Sequence, residues 1–362
     1  MRLYIIRDDG SKENIYKEFA MANCLVTGGA GFVGSHLAEK LVHLGHKVLV
    51  LDDLRSGYMR NLRWCMDEKT WSDVSRLGFS DADIRMDLGL GMVFYKGSVT
   101  DASLLASVFH EHKIQAVFHL AAIVSVPYSV SHEEETYAIN LQGTQKVLEA
   151  AAAAGCTTMV HAGSAAEYGD RSPVPAPEAY VTGDVEQQSP YGKTKYMAGR
   201  HVADASGLRG VSLRFFNIYG PRQDPASQYS GVISKFMACA AKGEDLPVCG
   251  DGEQTRDFVF VGDVVRAYLC AAGLGGSAVA AYTGERIFNV GGGSRISVNE
   301  LAEAVIRVSG TSGRIKHVAE RPGDIRHSCA DISRARHGIG WEPEVPLKTG
   351  LEITYDWYKV SM

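Results

Sequence analysis

Residues 24–53 restrict the possible folds more than any other stretch. Cys24-Leu25-Val26 is a short apolar run. Thr27-Gly28-Gly29-Ala30-Gly31-Phe32-Val33-Gly34 follows, and residues 35–42 then carry apolar side chains at helical spacing. A second apolar run, residues 47–51, ends on Asp52 and Asp53. Glycines at every third position, opening a helix directly after a strand, make a phosphate-binding turn. Gly28 permits the tight turn, Gly31 lets the backbone approach a pyrophosphate, and Gly34 lets the helix pack close to the sheet. The acid at the end of the second strand falls where it bonds the 2′-hydroxyl of an adenosine ribose. Strand, glycine triplet, helix, strand and acid in that order predict a dinucleotide site. A carboxylate at 52 repels a 2′-phosphate and so favours NAD over NADP, with Arg55 close enough to offset part of that repulsion.

The same rhythm continues. Strands are expected at 92–95, at 116–120 and at 158–162, each followed by a polar or Gly-rich turn and a helical stretch. The 116–120 strand ends in Ala121-Ala122, small residues at the edge where an open α/β sheet binds its ligand. Asn140 opens Asn-Leu-Gln-Gly-Thr on a long Ala-rich helix. The 158–162 strand leads into Gly163-Ser164-Ala165-Ala166-Glu167-Tyr168-Gly169, which puts Ser164 just beyond a strand end. Repeated β-α units predict one doubly wound parallel sheet. Residues 1–20 precede the first motif and do not resemble it; they are set apart as an extension of unread role. Residues 58–93, with Trp64, Trp71, Asp81, Asp83 and Arg85, are too long for a normal crossover and read as a surface insertion with its own small helix. After residues 213–217 the alternation becomes patchy. The expected division is a cofactor domain over 21–213 and a smaller α/β substrate lobe over 214–362, with segments near 257–272 and 288–290 returning to the first domain.

Ser189-Pro190-Tyr191-Gly192-Lys193-Thr194-Lys195 carries the chemistry. On a helix, Tyr191 and Lys195 lie on one face, one turn apart. An ammonium beside a phenol stabilises the phenolate, so the pair is a candidate base, with Ser164 arriving from a neighbouring strand end.

Composition bounds the rest. With 45% apolar and 22% charged residues the chain reads as globular, and a formal charge of −5 argues against nonspecific nucleic-acid binding. The seven cysteines are scattered, with no Cys-x-x-Cys pair, which points to reduced thiols in the cytoplasm and no metal site. No apolar run is long enough to span a membrane.

Taken in order, TGGAGFVG, DDLRSG, HLAA, the serine before Tyr168-Gly169, PYGKTK, RFFNIYGPRQ, GDGEQTRDFVFVGDV and RPGDIRHSCADIS resemble the extended short-chain dehydrogenase/reductase family. Within it, the chain is most similar to nucleotide-sugar 4-epimerases of the UDP-glucose and UDP-N-acetylglucosamine type. The resemblance runs from about Cys24 to the last helix, apart from 58–93. It implies a Rossmann-type fold and a tightly held NAD. It also implies 4-epimerisation of a UDP-sugar through a transient 4-keto sugar, and a homodimer. Tyr191 is then the acid/base, Lys195 tunes it and bonds the nicotinamide ribose, and Ser164 bonds the sugar O4.

The implied NAD positions are Gly28, Gly31, Phe32, Val33, Asp52, Asp53, Ser56, Gly57, Ser98, Val99, Leu120, Ala121, Ala122, Asn140 and Phe215, with Tyr191 and Lys195. The implied substrate positions are Val124, Ser164, Tyr191, Asn217, Val232, Val248, Arg256, Arg321, Asp324 and Ser328; Arg326 is a further candidate for the diphosphate. Ser98 stands where relatives carry an aspartate, Val124 where some carry a lysine, and Cys249 where many carry an aromatic residue.

Related 4,6-dehydratases place an Asp-Glu pair after the serine, and related decarboxylases place a glutamate at the second of those positions. Here the residues are Ala165 and Ala166, and Glu167, one place later, is expected to point elsewhere. Ser328 replaces a bulky tyrosine that closes the sugar pocket in relatives, which implies room for an N-acetyl group. The competing readings are a uronic-acid 4-epimerase or another nucleotide-sugar enzyme on the same scaffold and, from a different class, a non-catalytic NAD-binding sensor.

Overall fold

Alternate residues along the first strand enter different cores. Cys24 and Val26 pack on one side, while Leu25 joins a separate cluster on the other. A strand buried on both faces belongs to the middle of a sheet covered by helices on each side. The computed structural model has that architecture. It describes residues 4–6, 12–14, 21–77, 85–170, 172–183, 187, 189–227, 230–274, 284–320 and 324–361.

Eight strands form the main sheet: β1 (Asn23–Thr27), β2 (Lys47–Asp52), β3 (Arg85–Gly89), β4 (Met92–Lys96), β5 (Ala116–His119), β6 (Thr158–Ser164), β7 (Arg209–Phe215) and β8 (Ile287–Val290). Their order is β8-β7-β6-β5-β1-β2-β4-β3. Every neighbouring pair is parallel except β3 with β4. The expected doubly wound parallel sheet is therefore present. Chain order reverses beside β1, which lies between β2 and β5, and a ligand crevice opens at the C-terminal ends of strands at such a reversal.

The longer helices are α1 (Phe32–His43), α2 (Glu68–Leu77), α3 (Ala102–His112), α4 (Thr144–Ala153), α5 (Pro190–Ala203), α6 (Val232–Lys242), α7 (Val261–Ala272), α8 (Val298–Ser309) and α9 (Leu347–Ser361). Leu37 and Leu41 of α1 and Val264 and Tyr268 of α7 cover one sheet face, while Leu105 of α3 and Val147 of α4 cover the other. The α3 helix starts where the Asp101 carboxylate accepts from the Ser103 and Leu104 N–H groups.

The 58–93 segment differs from the surface insertion expected of it. It forms a 3₁₀ turn (Met59–Cys65), then α2, then β3, the antiparallel edge of the main sheet. Leu62, Cys65, Met66 and Leu88 are buried in the main core, and Trp64 and Trp71 pack partly buried against it. These side chains point inward, so the segment continues the sheet and its cover, with the small helix expected of it as α2. Asp81 and Asp83 lie outside the described residues.

A third cluster forms the core of the smaller lobe, with Tyr219, Phe236, Leu246, Val248, Leu301 and Tyr358 packed among α6, α8 and α9. Its strands pair in twos: Asn217–Tyr219 with Phe258–Phe260, Leu246–Cys249 with Ile315–Val318, and Thr255–Arg256 with Ile296–Ser297. The chain passes between the two bodies more than once. The β8 strand adds to β7, and α7 sends Tyr268 against Phe118 and Phe215 beneath the main sheet.

Candidate active site

One cleft of about 570 Å³ runs along the C-terminal ends of β1, β2, β5 and β6. Its floor begins at the glycine turn. Gly28 has φ +70°, and a Cβ there would lie 2.8 Å from the Ala121 nitrogen on the loop after β5. A Cβ on Gly34 would lie 2.1 Å from the Gly28 carbonyl oxygen. Gly31 caps α1 with no side chain bonded to the first N–H groups, and Gly31, Phe32 and Val33 line the cleft. Free N–H groups at the positive end of a helix, with no side chain in front of them, fit a dinucleotide pyrophosphate.

Asp52 ends β2 and also lines the cleft. Its carboxylate accepts from the Ala30 N–H at 2.9 Å and the Leu54 N–H at 2.8 Å, tying the glycine turn to the ribose end. Burial pushes its pKa up to about 6. Gly57 packs directly against this carboxylate. Asp53 is more exposed and lies 3.5 Å from the Arg55 guanidinium, whose Nη1 also donates to Glu135 at 2.6 Å. Two carboxylates thus occupy Arg55, so it offers little to a 2′-phosphate, and the Asp52 end favours a free ribose hydroxyl. Ser56, Ser98 and Val99 line the same end, with the Ser98 hydroxyl bonded to Thr100.

At the other end of the cleft stand Ser164, Tyr191 and Lys195. Ser189 caps α5 by accepting from the Gly192 N–H, with Pro190 in its first turn, so the helix begins just ahead of Tyr191. Ser164 ends β6 and caps the 3₁₀ turn Ala165–Tyr168. Both Ser164 and the Tyr191 phenol line the cleft. Burial pushes the phenol up to about 12, and the serine hydroxyl opposes that rise. Lys195 lines the cleft with Tyr191, is buried, and donates from Nζ to the Ala162 carbonyl at 2.9 Å, which leaves two of its N–H groups for a ligand. Burial brings its own pKa down to about 8.

Glu167 is fully buried. One carboxylate oxygen accepts from the Ser164 N–H, and the other pairs with Arg214 Nε at 2.6 Å. It is not part of the cleft wall. Behind the site, His119 and His161 stack with ring centres 5.9 Å apart, both held neutral by burial with Lys195 close by.

The remaining candidates divide. Leu120, Ala121, Ala122, Val124 and Phe215 line the cleft. Asn140 does not; its side chain accepts from the Ile123 N–H at 2.7 Å and donates to the Ile123 carbonyl at 2.9 Å, fixing the loop after β5 from behind. It sits in a π-helical stretch, Tyr137–Gly143, ahead of α4. Asn217, Val232, Arg256, Asp324 and Ser328 lie on the smaller lobe and are not in the cleft wall. Asn217 donates to the Asp257 carbonyl, Arg256 pairs with Asp324, and Arg326 forks onto Asp251 at 2.8 and 2.9 Å. Val248 is fully buried in the lobe core and presents no surface to a ligand. Arg321 lies outside the described residues.

The wall opposite the glycine turn comes from residues that spacing did not single out: Phe216, Ile218, Arg222, Gln223 and Asp224. Arg222, at φ +67°, pairs with Glu39 of α1. Four of these five wall residues belong to the RFFNIYGPRQ motif, residues 214–223, and Asp224 follows it directly. Among the described residues no group of His, Cys, Asp and Glu could hold a metal ion, and no helix is long and apolar enough to cross a membrane.

Residues 24–291 match the model of the NAD dependent epimerase/dehydratase family. A UDP-glucose 4-epimerase of Mycolicibacterium smegmatis is 34% identical over 342 residues, covering 92% of this chain and 98% of that protein. The crystal structure of a UDP-glucose 4-epimerase from Thermotoga maritima with UDP-glucose superposes with a TM-score of 0.79 at 33% identity, covering 94% of this chain and 99% of that one. A UDP-N-acetylglucosamine 4-epimerase from Methanobrevibacter ruminantium, in complex with UDP-N-acetylmuramic acid, gives 0.79 at 30% identity, covering 94% and 99%. A UDP-N-acetyl-α-D-glucosaminuronate decarboxylase of Bacillus cytotoxicus is 29% identical, covering 93% of this chain and 97% of that protein. The glycine cradle, the acid after β2 and the matched span agree: the chain is an NAD-using enzyme of the NAD dependent epimerase/dehydratase family.

Proposed function

We propose that the protein interconverts the 4-epimers of a UDP-sugar, UDP-GlcNAc and UDP-GalNAc or UDP-Glc and UDP-Gal, while keeping its NAD bound. The observation that carries this reading is Ser164 and Tyr191 in one cleft wall, the serine opposing the rise of the phenol, with no free carboxylate beside them. Ala165 and Ala166 occupy the two following positions, and Glu167 is locked on Arg214. A phenol with a serine partner moves one proton at one hydroxyl. Elimination or decarboxylation needs a further acid or base, so the same pocket supports oxidation and return at C4.

When bound, NAD supplies the reversible hydride acceptor. Gly28, Gly31, Phe32 and Val33 would hold its pyrophosphate, and Asp52 its adenosine ribose. Tyr191 Oη takes the proton from the sugar 4-hydroxyl and later returns it. Ser164 Oγ donates to the phenolate and holds the sugar O4. The phenolate needs stabilising against burial, and a cationic nicotinamide nearby adds to the serine. Lys195, fixed on the Ala162 carbonyl, orients the nicotinamide ribose. Asn217 and Arg256 bind the nucleotide diphosphate, joined by Arg321, with Asp324 releasing Arg256 to the phosphates. Ser328 leaves space for an N-acetyl group. We further propose a cytoplasmic homodimer, which light scattering on the eluted protein tests.

Incubation with UDP-Glc, UDP-GlcNAc and UDP-GlcA without added NAD, followed by chromatography of the products, tests the reaction. The 4-epimer of a neutral sugar should appear. Epimerised UDP-GlcA alone would make the enzyme a uronic-acid epimerase, a pentose product would make it a decarboxylase, and no product with NAD retained would favour a sensor.

A further inference from the structure

The segment just after Asp52 lines the cleft through Asp53, Arg55, Ser56 and Tyr58 and is tied down on both sides. Its underside is fixed to the glycine turn: the Tyr58 N–H and the Asn61 side-chain amide both donate to the Ala30 carbonyl, at 3.0 and 2.9 Å. Toward one side, Arg55 Nη1 donates to Glu135 Oε1 at 2.6 Å, and the Tyr128 hydroxyl holds the other Glu135 oxygen at 2.7 Å. Toward the other, Arg60 Nη2 pairs with Asp224 Oδ2 at 3.1 Å.

The second tie is the more built. Arg60 sits over the Tyr58 ring, its guanidinium carbon 3.9 Å from the ring centre, and burial and the nearby Asp224 carboxylate raise the pKa of the Tyr58 phenol. Asp224 is mostly buried, and its second oxygen accepts from the Ala226 N–H at 2.9 Å. The loop that carries Asp224 is itself anchored across the molecule. The Pro221 carbonyl meets the His36 ring at 2.9 Å, Arg222 pairs with Glu39, and the Tyr358 hydroxyl donates to the Gln223 carbonyl. Arg55 and Tyr58 line the cleft from one lip and Asp224 from the other.

We propose that residues 53–60 act as a strap over the Asp52 end of the cleft, buckled by Arg55–Glu135 and Arg60–Asp224, and that the two buckles set how long NAD stays bound. NAD leaves a crevice of this kind only when one lip moves away from the other. Each ion pair resists that movement, and both lie far enough into solvent to be screened by salt. An enzyme that oxidises and then reduces the same sugar must not lose its cofactor between the two halves, so a slow release step suits the proposed chemistry. The proposal rests on NAD occupying this cleft and not on which sugar is turned over.

The test measures NAD alone. Purified holoprotein is passed repeatedly through desalting columns, and the NAD left per chain is determined after acid release. Glu135→Gln and Asp224→Asn should each speed loss about threefold and the double variant about tenfold, the size expected from one or two exposed pairs. Raising NaCl to about 0.5 M should speed loss from the unmodified protein and leave the double variant little changed, since its screened pairs are already gone. The swap Arg60→Asp with Asp224→Arg should restore retention relative to Asp224→Asn. Glu303→Gln, which breaks the exposed Arg307–Glu303 pair far from the cleft, is the control for a general surface effect. Unchanged retention in the double variant, or an equal loss in Glu303→Gln, would overturn the strap, while the sugar panel would still stand on its own.

Discussion

Tyr191 is held as a poor base. Its phenol is pushed to about 12 by burial, and Ser164 is the side chain that opposes the rise. Deleting the hydroxyl should therefore remove the proton shuttle and leave the cradle intact. Tyr191→Phe is expected to lower turnover about 10²–10⁴-fold with NAD content unchanged, read by product chromatography and cofactor assay on the same sample. Asp52 gives a pH dependence of known sign. Its pKa is raised to about 6, so the ionised acceptor persists above that pH and is lost as pH falls through it. NAD retention should fall over the same window, and Asp52→Asn should retain less NAD and flatten the profile; an unshifted profile in that variant would exclude Asp52 as the ribose acceptor. Arg214 and Glu167 form a fully buried pair under the catalytic turn. Arg214→Met leaves a buried carboxylate alone and should cost about 3–5 kcal/mol by denaturant titration, with activity lost alongside because Glu167 also holds the Ser164 N–H.

Secondary-structure elements set the distance between the two ends of the cleft. The α1 helix can start beside β1 because Gly34 has no Cβ, and the nearest atom to one would be backbone, which cannot swing aside. Gly34→Ala should push the helix start away from the sheet, so the protein should purify with little NAD and melt at a lower temperature, both measurable without a substrate. The helix α5 delivers Tyr191 through its cap. Ser189 and Pro190 fix where it begins, and the Tyr191 N–H donates to Ser129 at 3.2 Å. The 58–93 segment also acts at this scale. Its strand β3 extends the sheet edge, while its first residues reach the cleft mouth, so one inserted stretch serves both the core and the cofactor site.

On the scale of the whole molecule, the cleft wall is drawn from both bodies, and filling it ties them together. NAD added to stripped protein at about 100 times its dissociation constant should stabilise by about 2.7 kcal/mol, with a single shifted unfolding transition in calorimetry. Two transitions of which only one shifts would mean that the lobes melt independently. The sequence alone determined the parallel sheet, the glycine cradle, the acid after β2 and the Tyr191–Lys195 spacing. Each of these is local: glycine φ, apolar period and helical turn operate within about ten residues, and a reader of the chain has all their terms. Tertiary structure alone decided which charges are free. Spacing gives no sign that Arg256 lies on Asp324, that Arg326 lies on Asp251, or that the Lys195 ammonium is held by the Ala162 carbonyl. It also decided that Asp224 and Arg222 line the cleft. Ion pairs and burial depend on atoms brought together from opposite ends of the chain, and spacing along the backbone carries no record of those distances.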